Sequence, residues 1–216
     1  MGNLKFAAYL AVALYPSLIL HELAHAFAAD RLGDKTARRW GRLSLNPKPL
    51  IDPFGSLILP GLILILVASG QGFQLPLFAY AKPMPLDPYA LRNRSRGPTL
   101  VTLAGLGANL ALAVVAGVIL RLGFTGEAAL FAYAWLLVNV YMFVFQLMPV
   151  PGLDGAKLLA PLLPPRARDV YTNLDQYLAL FILVIFFLLA GPFLSIVRAL
   201  ARAVTSLITG GDVLIC

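Results

Sequence analysis

The sequence predicts an all-α polytopic membrane protein, and three observations support this prediction. First, 60% of the 216 residues are hydrophobic and only 12% are charged, whereas about a quarter of the residues of a soluble domain are charged. Second, four apolar runs reach or approach the roughly 20 residues that a helix needs to span a bilayer. Third, the charged residues lie mainly between these runs. We therefore expect a single integral membrane domain over residues 1–216, with about four to six membrane segments, one of them a re-entrant or hairpin element.

The expected spanning helices follow the apolar runs in chain order, at about Leu4–Ala29, Leu100–Leu120, Ala128–Met148 and Tyr177–Leu194. A shorter run, Phe54–Ser69, carries Pro60 in its middle and leads into GQGFQLPLFAYAKPMPLDP, which is rich in Gly, Pro and aromatic residues. The small-residue pattern AHAFAA in the first run also suits a signal-peptide cleavage site. However, only Lys5 precedes it, and cleavage would remove both histidines of the chain, so we expect a membrane helix.

The basic residues indicate which connections face the cytoplasm. The formal net charge is +7, and Lys and Arg concentrate in Asp30–Pro53, in Lys82–Gly97 and after Met148. The connection between the second and third runs holds only Arg121, offset by Glu127. The positive-inside rule therefore places the three basic segments in the cytoplasm, and we expect the protein in the cell membrane. No basic stretch is interleaved with aromatic residues, so nucleic-acid binding is not expected.

The same charges predict that Phe54–Tyr80 enters the membrane and returns to its side of entry. If Phe54–Ser69 crossed the bilayer alone, the Lys82–Gly97 loop would face the opposite side. Irregular backbone at membrane depth is stable only where it is buried in protein or lines a wet cavity. A re-entrant element here therefore implies a cavity. The alternative is an ordinary short spanning helix with a weak charge bias.

The motif HELAH holds both histidines of the chain and lies inside the first apolar run. Residues four apart lie on one face of a helix, so His21 and His25 can bind one metal ion. Glu22 can act as a general base beside that ion, which is the chemistry of a zinc peptidase. Ionisable groups are costly inside a membrane and mark functional sites. The alternative is a pair of histidines that hydrogen-bond to other helices.

A catalytic zinc ion needs a third protein ligand and an open position, and we expect Asp154 to supply this ligand. The chain has no third histidine, Cys216 is remote at the terminus, and most other aspartates lie in polar or loop surroundings. Asp154 lies in FQLMPVPGLDGAKLLAPLL, where Pro and Gly interrupt a helix at membrane depth. A returning hairpin would put it on the same side of the membrane as the histidines. The alternative is that Asp154 only caps the helix that follows.

These motifs resemble the site-2 protease family of intramembrane zinc metalloproteases. The resemblance extends over most of the chain and includes HELAH, GRLSLNPKPLIDPFGS, AYAKPMPLDP, LAGLGANLALA and MPVPGLDGAKLL. It implies that His21, His25 and Asp154 bind zinc, with one Zn2+ per chain, and that Glu22 is the catalytic base. It also implies a compact form of the family without a PDZ or CBS domain.

The resemblance further implies residues that position the substrate. The family's G-x-x-x-N motif matches Gly105 and Asn109, and the Asn109 amide would position the substrate or polarise its carbonyl. A helix–helix hydrogen bond is the alternative role for Asn109. Two positions depart from the family pattern, since Gln146 stands where relatives have Asn, and Leu50 stands where they have His. Gln146 keeps an amide on a longer side chain, so both departures concern fine positioning rather than the reaction.

We therefore expect a zinc-dependent endopeptidase that cleaves single-span membrane proteins in or near their transmembrane segments, with its active site towards the cytoplasm. A substrate helix would have to unwind locally and could then pair as a strand with the re-entrant element, unless that element is only a packing plug. One alternative is a non-catalytic, metal-binding homologue that binds membrane-protein partners. The intact Glu22 argues against this alternative. The other is a metal transporter, which would need ligands along several helices. The oligomeric state does not follow from the sequence.

Overall fold

The computed structural model describes residues 2–70, 79–82, 84–188 and 190–211, apart from the side chains at positions 183, 185–188 and 190. Every regular element within these ranges is a helix, so the predicted all-α class is confirmed. The α-helices are α1 Gly2–Leu32, α2 Thr36–Arg39, α3 Leu59–Ala68, α4 Gly97–Arg121, α5 Gly126–Gln146, α6 Asp154–Leu159, α7 Pro165–Asn173, α8 Leu178–Leu188 and α9 Ala190–Thr209. A π-helical turn, Pro53–Ile58, leads into α3, and the 3-10 turns Ala160–Leu162 and Leu174–Tyr177 flank α7.

Four helices among the described residues are long and apolar enough to span a membrane, which confirms the integral membrane class. Three of them, α1, α4 and α5, contain the first three predicted runs almost entirely. The fourth predicted run, Tyr177–Leu194, coincides with α8 and the first residues of α9, and the fourth candidate span found among the described residues is Gly191–Thr209.

The core of the bundle is formed by α1, α4 and α5, each of which packs against the other two. α9 covers α4 and α5, and α3 packs against α1. Fully buried alanines, such as Ala13, Ala113 and Ala134, lie in these three helices, and small residues let membrane helices approach closely. At one end, Glu127 of α5 accepts hydrogen bonds from Lys5 and Tyr9 of α1, so α1 and α5 begin at the same end and run in the same direction.

The segment after α2 forms a hairpin whose described ends meet, as the sequence predicted. The Asp52 side chain accepts hydrogen bonds from the N–H groups of Phe54 and Gly55 and thereby caps the π-helical turn. The Tyr80 N–H then donates to the Gly55 carbonyl at 3.1 Å, so the chain is back at the level at which it entered. Residues 71–78, which include most of the predicted re-entrant stretch GQGFQLPLFAYAKP, lie outside the described residues.

Candidate metal centre

The helix α1 places the two histidines side by side in the interior of the bundle. His21 and His25 are one turn apart, and both are buried. Their Nε2 atoms lie 3.1 Å apart, and the two rings are perpendicular. The i, i+4 spacing of the motif therefore has the geometry that the sequence predicted, because α1 is continuous through this region.

The aspartate reaches the histidines through the tight connection that follows α5. A Cβ at Gly155 would overlap the Leu147 carbonyl, so only glycine allows the end of α5 and the start of α6 to approach this closely. Two hydrogen bonds to the segment after α6 fix the connection. The Gly152 N–H donates to Asp175 Oδ1 at 2.8 Å, and the Pro149 carbonyl accepts from the Tyr171 hydroxyl at 2.7 Å.

The Asp154 carboxylate faces both imidazoles with a single oxygen. Its Oδ2 atom lies 3.2 Å from Nε2 of His21 and 2.9 Å from Nε2 of His25. Asp154 is the first residue of α6, whose N-cap is Leu153, so its carboxylate is not a side-chain cap of the helix. Among the described residues, His21, His25 and Asp154 form the one group of three or more His, Cys, Asp or Glu side chains that could hold a metal ion. Cys216 lies outside the described residues.

The donor atoms of this cluster fit a cation. His25 Nδ1 lies 2.8 Å from the Val101 carbonyl, which can only accept, so Nδ1 carries the proton and a neutral His25 ring directs an Nε2 lone pair at the cluster. Asp154 Oδ2 has no hydrogen-bond partner within the described part of the chain. The three ligand atoms form a triangle with sides of 2.9, 3.1 and 3.2 Å. Tetrahedral zinc with bonds of about 2.0–2.1 Å separates its ligands by roughly 3.3 Å, so this donor set suits zinc.

A small cleft opens beside the cluster and contains the remaining acidic group. Glu22 is buried and lines this cleft together with His25 and Asp154. The cleft has a volume of about 30 Å3, which is room for one or two waters. A carboxylate and a water-sized space therefore lie directly beside the candidate metal position.

The charge state of Asp154 depends on its neighbours. Burial acts to raise the pKa of the Asp154 carboxyl, but the Lys157 ammonium acts in the opposite direction, and this pKa lies well below its usual value. Asp154 is therefore ionised at neutral pH, as a metal ligand must be.

The two predicted substrate-positioning residues lie in different surroundings. Gln146 is buried and lines the cleft with Glu22. Asn109 is fully buried in α4, one turn beyond Gly105, whose missing Cβ makes room for the His25 ring. Neither amide atom of Asn109 has a hydrogen-bond partner among the described residues, so the helix–helix hydrogen bond considered for this residue is not observed there.

Sequence reasoning did not identify two further residues at the site. Lys157 and Ala81 both line the cleft, and Lys157 donates to Asp154 Oδ1 at 2.9 Å. The i, i+3 spacing of Asp154 and Lys157 on one helix could have indicated this pair. Ala81 lies in the stretch GQGFQLPLFAYAKP, for which the sequence predicted a cavity and possible pairing with a substrate, but no pattern singled out this residue.

Comparison with known proteins identifies relatives along most of the chain. The chain is 35% identical over 193 residues, which are 85% of its length and 82% of the relative, to the protein named "Putative zinc metalloprotease YwhC" of Bacillus subtilis (strain 168). It is 36% identical over 173 residues to "Putative zinc metalloprotease Rip2" of Mycobacterium tuberculosis, a match that covers 79% of this chain and 63% of Rip2. The Mycolicibacterium smegmatis protein of the same name is 35% identical over 172 residues, which are 78% of this chain and 62% of that protein. No family model and no solved structure matches the chain.

Proposed function

Because the chain belongs to the site-2 protease family of zinc metalloproteases, we propose that it is an intramembrane endopeptidase that hydrolyses peptide bonds in or near the transmembrane segments of membrane proteins. One observation carries this proposal. His21 and His25 lie on a helix that can span a membrane, and they converge with the buried Asp154 beside a cleft that holds Glu22. A soluble peptidase would not need to bury this group within spanning helices.

In this proposal His21, His25 and Asp154 hold one zinc ion per chain. When bound, zinc supplies a Lewis acid that polarises the peptide carbonyl and makes water more acidic. The protein contributes the orientation of the ligands. The Val101 carbonyl fixes the tautomer of His25, and burial keeps bulk water away from the cluster.

Glu22 is the proposed general base. Its carboxylate lines the same water-sized cleft as His25 and Asp154. It takes a proton from water as the water oxygen attacks the substrate carbonyl, and it then delivers this proton to the leaving nitrogen. Both steps require the carboxylate to be ionised at the start of the cycle and adjacent to the scissile bond.

The extended segment 79–82 is the proposed docking edge for the substrate backbone. On one side, the Tyr80 carbonyl accepts from Ser56 Oγ at 2.8 Å, and the Lys82 N–H donates to the Leu50 carbonyl at 2.9 Å. Neither the N–H nor the carbonyl of the intervening Ala81 is bonded to any residue that the structure describes, and Ala81 lines the cleft with Glu22. Residues of an extended chain alternate in the direction of their hydrogen bonds, so Ala81 can pair with an unwound substrate segment by strand addition.

Two amides are proposed to position the scissile carbonyl. Gln146 reaches the cleft directly. Asn109 has a fully buried amide with no partner among the described residues, and such a group is costly unless a ligand or water satisfies it. In this proposal the Gln146 amide contacts the substrate carbonyl in the cleft beside Glu22. The Asn109 amide acts from its fully buried position in α4.

The proposed setting is the cell membrane, with the metal centre towards the cytoplasm. The loops that follow α1 and precede α4 carry most of the basic residues, and the end of α1 that holds His25 adjoins the first of these loops. The positive-inside rule then orients the site towards the cytoplasm. The proposed substrates are single-span membrane proteins that diffuse to the site within the bilayer.

Cleavage by the purified protein tests this function. The chain is reconstituted in lipid vesicles with a reporter protein that has one transmembrane helix, and the products are followed by gel electrophoresis. The parent should cleave, removal of metal by a chelator should stop cleavage, and added zinc should restore it. Glu22→Gln should lower the rate by about 10²–10⁴-fold, because an amide cannot accept the proton.

The chain offers a matched control in its other glutamate. Glu127→Gln makes the same chemical change at the opposite end of the bundle and should leave cleavage intact. A parent that binds reporters with different transmembrane sequences and cleaves none of them would instead support a non-catalytic membrane-binding homologue.

A further inference from the structure

The two oxygens of Asp154 have separate partners. Oδ2 faces both imidazoles, at 3.2 and 2.9 Å, whereas Oδ1 accepts a hydrogen bond from the Lys157 ammonium at 2.9 Å. We propose that Lys157 is a positioning residue that holds Asp154 in a one-oxygen binding mode, with Oδ1 kept away from the metal. The inference rests on the proposed metalloprotease function, since it concerns how one of its ligands is oriented.

The carboxylate needs such a partner because its terminal torsion is soft. Rotation about the Cβ–Cγ bond of aspartate is broad and roughly two-fold, so packing alone does not select which oxygen faces the histidines. No backbone N–H among the described residues donates to the Asp154 carboxylate, and Lys157 is its one hydrogen-bond donor there apart from the imidazole contacts. Metal-binding carboxylates are usually held by such outer hydrogen bonds, whose loss costs about 10–100-fold in metal affinity or activity.

The arrangement also places a positive charge beside the cleft that two carboxylates line. Glu22, Asp154 and Lys157 all line the same cleft. A second Asp154 oxygen turned towards the metal would fill a coordination position that a catalytic site keeps open. By holding Oδ1, Lys157 leaves this position to water and substrate.

A second lysine–aspartate pair in the chain provides a matched comparison. Lys35 Nζ lies 3.1 Å from Asp30 Oδ2, and the side chains are 54% and 5% exposed. For Lys157 and Asp154 the corresponding values are 41% and 3%. The two lysines are thus similar in exposure and in the burial of their partners, but Asp30 also accepts two hydrogen bonds from Arg38, and the described part of the chain brings no histidine to it. An exposed lysine in an ion pair contributes little to stability by itself, so a loss of metal affinity on removal of Lys157 would not reflect a less stable fold.

The experiment measures zinc affinity and coordination of the full-length protein purified in detergent. Zinc affinity is obtained by competition with a chromophoric chelator, and the visible spectrum of the cobalt-substituted protein reports the coordination number. Lys157→Met, which removes the donor but keeps the length, should weaken zinc binding about 10–100-fold and change the intensity of the cobalt spectrum. Lys157→Arg should restore most of the affinity, and Lys35→Met should leave both readouts at the parent values.

The outcomes separate this inference from the proposed function. If Lys157→Met is folded by size-exclusion chromatography and binds zinc as tightly as the parent, with an unchanged cobalt spectrum, the positioning role is wrong while the metalloprotease stands. Equal losses in Lys157→Met and Lys35→Met would also refute it, because they would indicate general destabilisation. A parent that binds no zinc would overturn the proposed function and this inference together.

Discussion

Two polar clusters lie along α1, an outer junction with α5 near its first residues and an inner junction with α6 at His21 and His25, and they differ in exposure and in hydrogen bonding. At the outer junction, which consists of Lys5, Tyr9 and Glu127, both oxygens of the glutamate accept a hydrogen bond, and the Lys5 and Glu127 side chains are more than half exposed. At the inner junction, beside Gln146, the groups are buried, and His21 Nδ1 and Asp154 Oδ2 have no hydrogen-bond partner among the described residues.

The difference shows what distinguishes a structural polar contact from a candidate site. An exposed, fully paired cluster fixes the register of two helices at little energetic cost. A buried cluster with unpaired acceptors is unstable unless a further group satisfies it. An exposed ion pair at the end of a spanning helix is therefore a weak indicator of function, whereas buried acceptor atoms that converge without hydrogen-bond partners indicate a binding site.

The largest effect that we expect from a test of this contrast is the loss of zinc when a residue of the inner junction is replaced. Asp154→Ala removes one of three proposed ligands, so the metal content should fall from about one zinc per chain to a small fraction of this value. Elemental analysis of detergent-purified protein measures it. Glu127→Ala at the outer junction should retain zinc. Unchanged tight binding by the Asp154 variant would remove this residue from the metal centre.

The second prediction concerns the sides of the membrane on which the two junctions lie. Single cysteines replace Arg39, Arg94, Arg166 or Phe124 in a Cys216→Ser background, and intact cells are treated with a membrane-impermeant thiol reagent. We expect all-or-none labelling: Phe124→Cys, which is close to the outer junction, should react from outside, and the three arginine positions should react only after lysis. Labelling of Arg94→Cys from outside, with Arg39→Cys protected, would contradict the proposed orientation of the hairpin.

A third prediction sharpens the contrast by moving one ligand without removing it. A Cβ at Gly105 would overlap the His25 ring, whereas a Cβ at Gly107 would meet open space. Gly105→Ala should therefore displace the imidazole and lower zinc affinity or cleavage by about 10–100-fold, measured by chelator competition and reporter cleavage. Gly107→Ala adds the same methyl group to the same helix and should behave as the parent. Equal behaviour of the two variants would show that the site tolerates a displaced His25.

The smallest effect is expected at the outer junction itself. Lys5→Met removes one donor to Glu127, whose side chain is exposed and keeps the Tyr9 hydroxyl. Exposed ion pairs contribute little to stability, so the midpoint of thermal unfolding should change only slightly and the cleavage rate should not change. A large loss of cleavage in this variant would mean that the outer junction is coupled to the site.

Much of the architecture was accessible from the sequence because it depends on local properties. Hydropathy located α1, α4 and α5, and the concentration of Lys and Arg in the loops predicted the return of the segment after α2. The fourth predicted run, Tyr177–Leu194, coincides with α8 and the first residues of α9, whereas the candidate span among the described residues continues through Arg198 and Arg202 to Thr209. A hydropathy average cannot separate the two faces of an amphipathic helix.

The sequence by itself determined that His21 and His25 share one face of a helix, since a spacing of four residues has this consequence in any α-helix. Only the tertiary structure decided which oxygen of Asp154 faces them, that Lys157 binds the other oxygen, and that Ala81 lines the cleft. These contacts join segments that are far apart in the chain or depend on the side-chain torsion of a single residue. Their geometry is set by how the helices and the hairpin pack together, and no local pattern of residues encodes it.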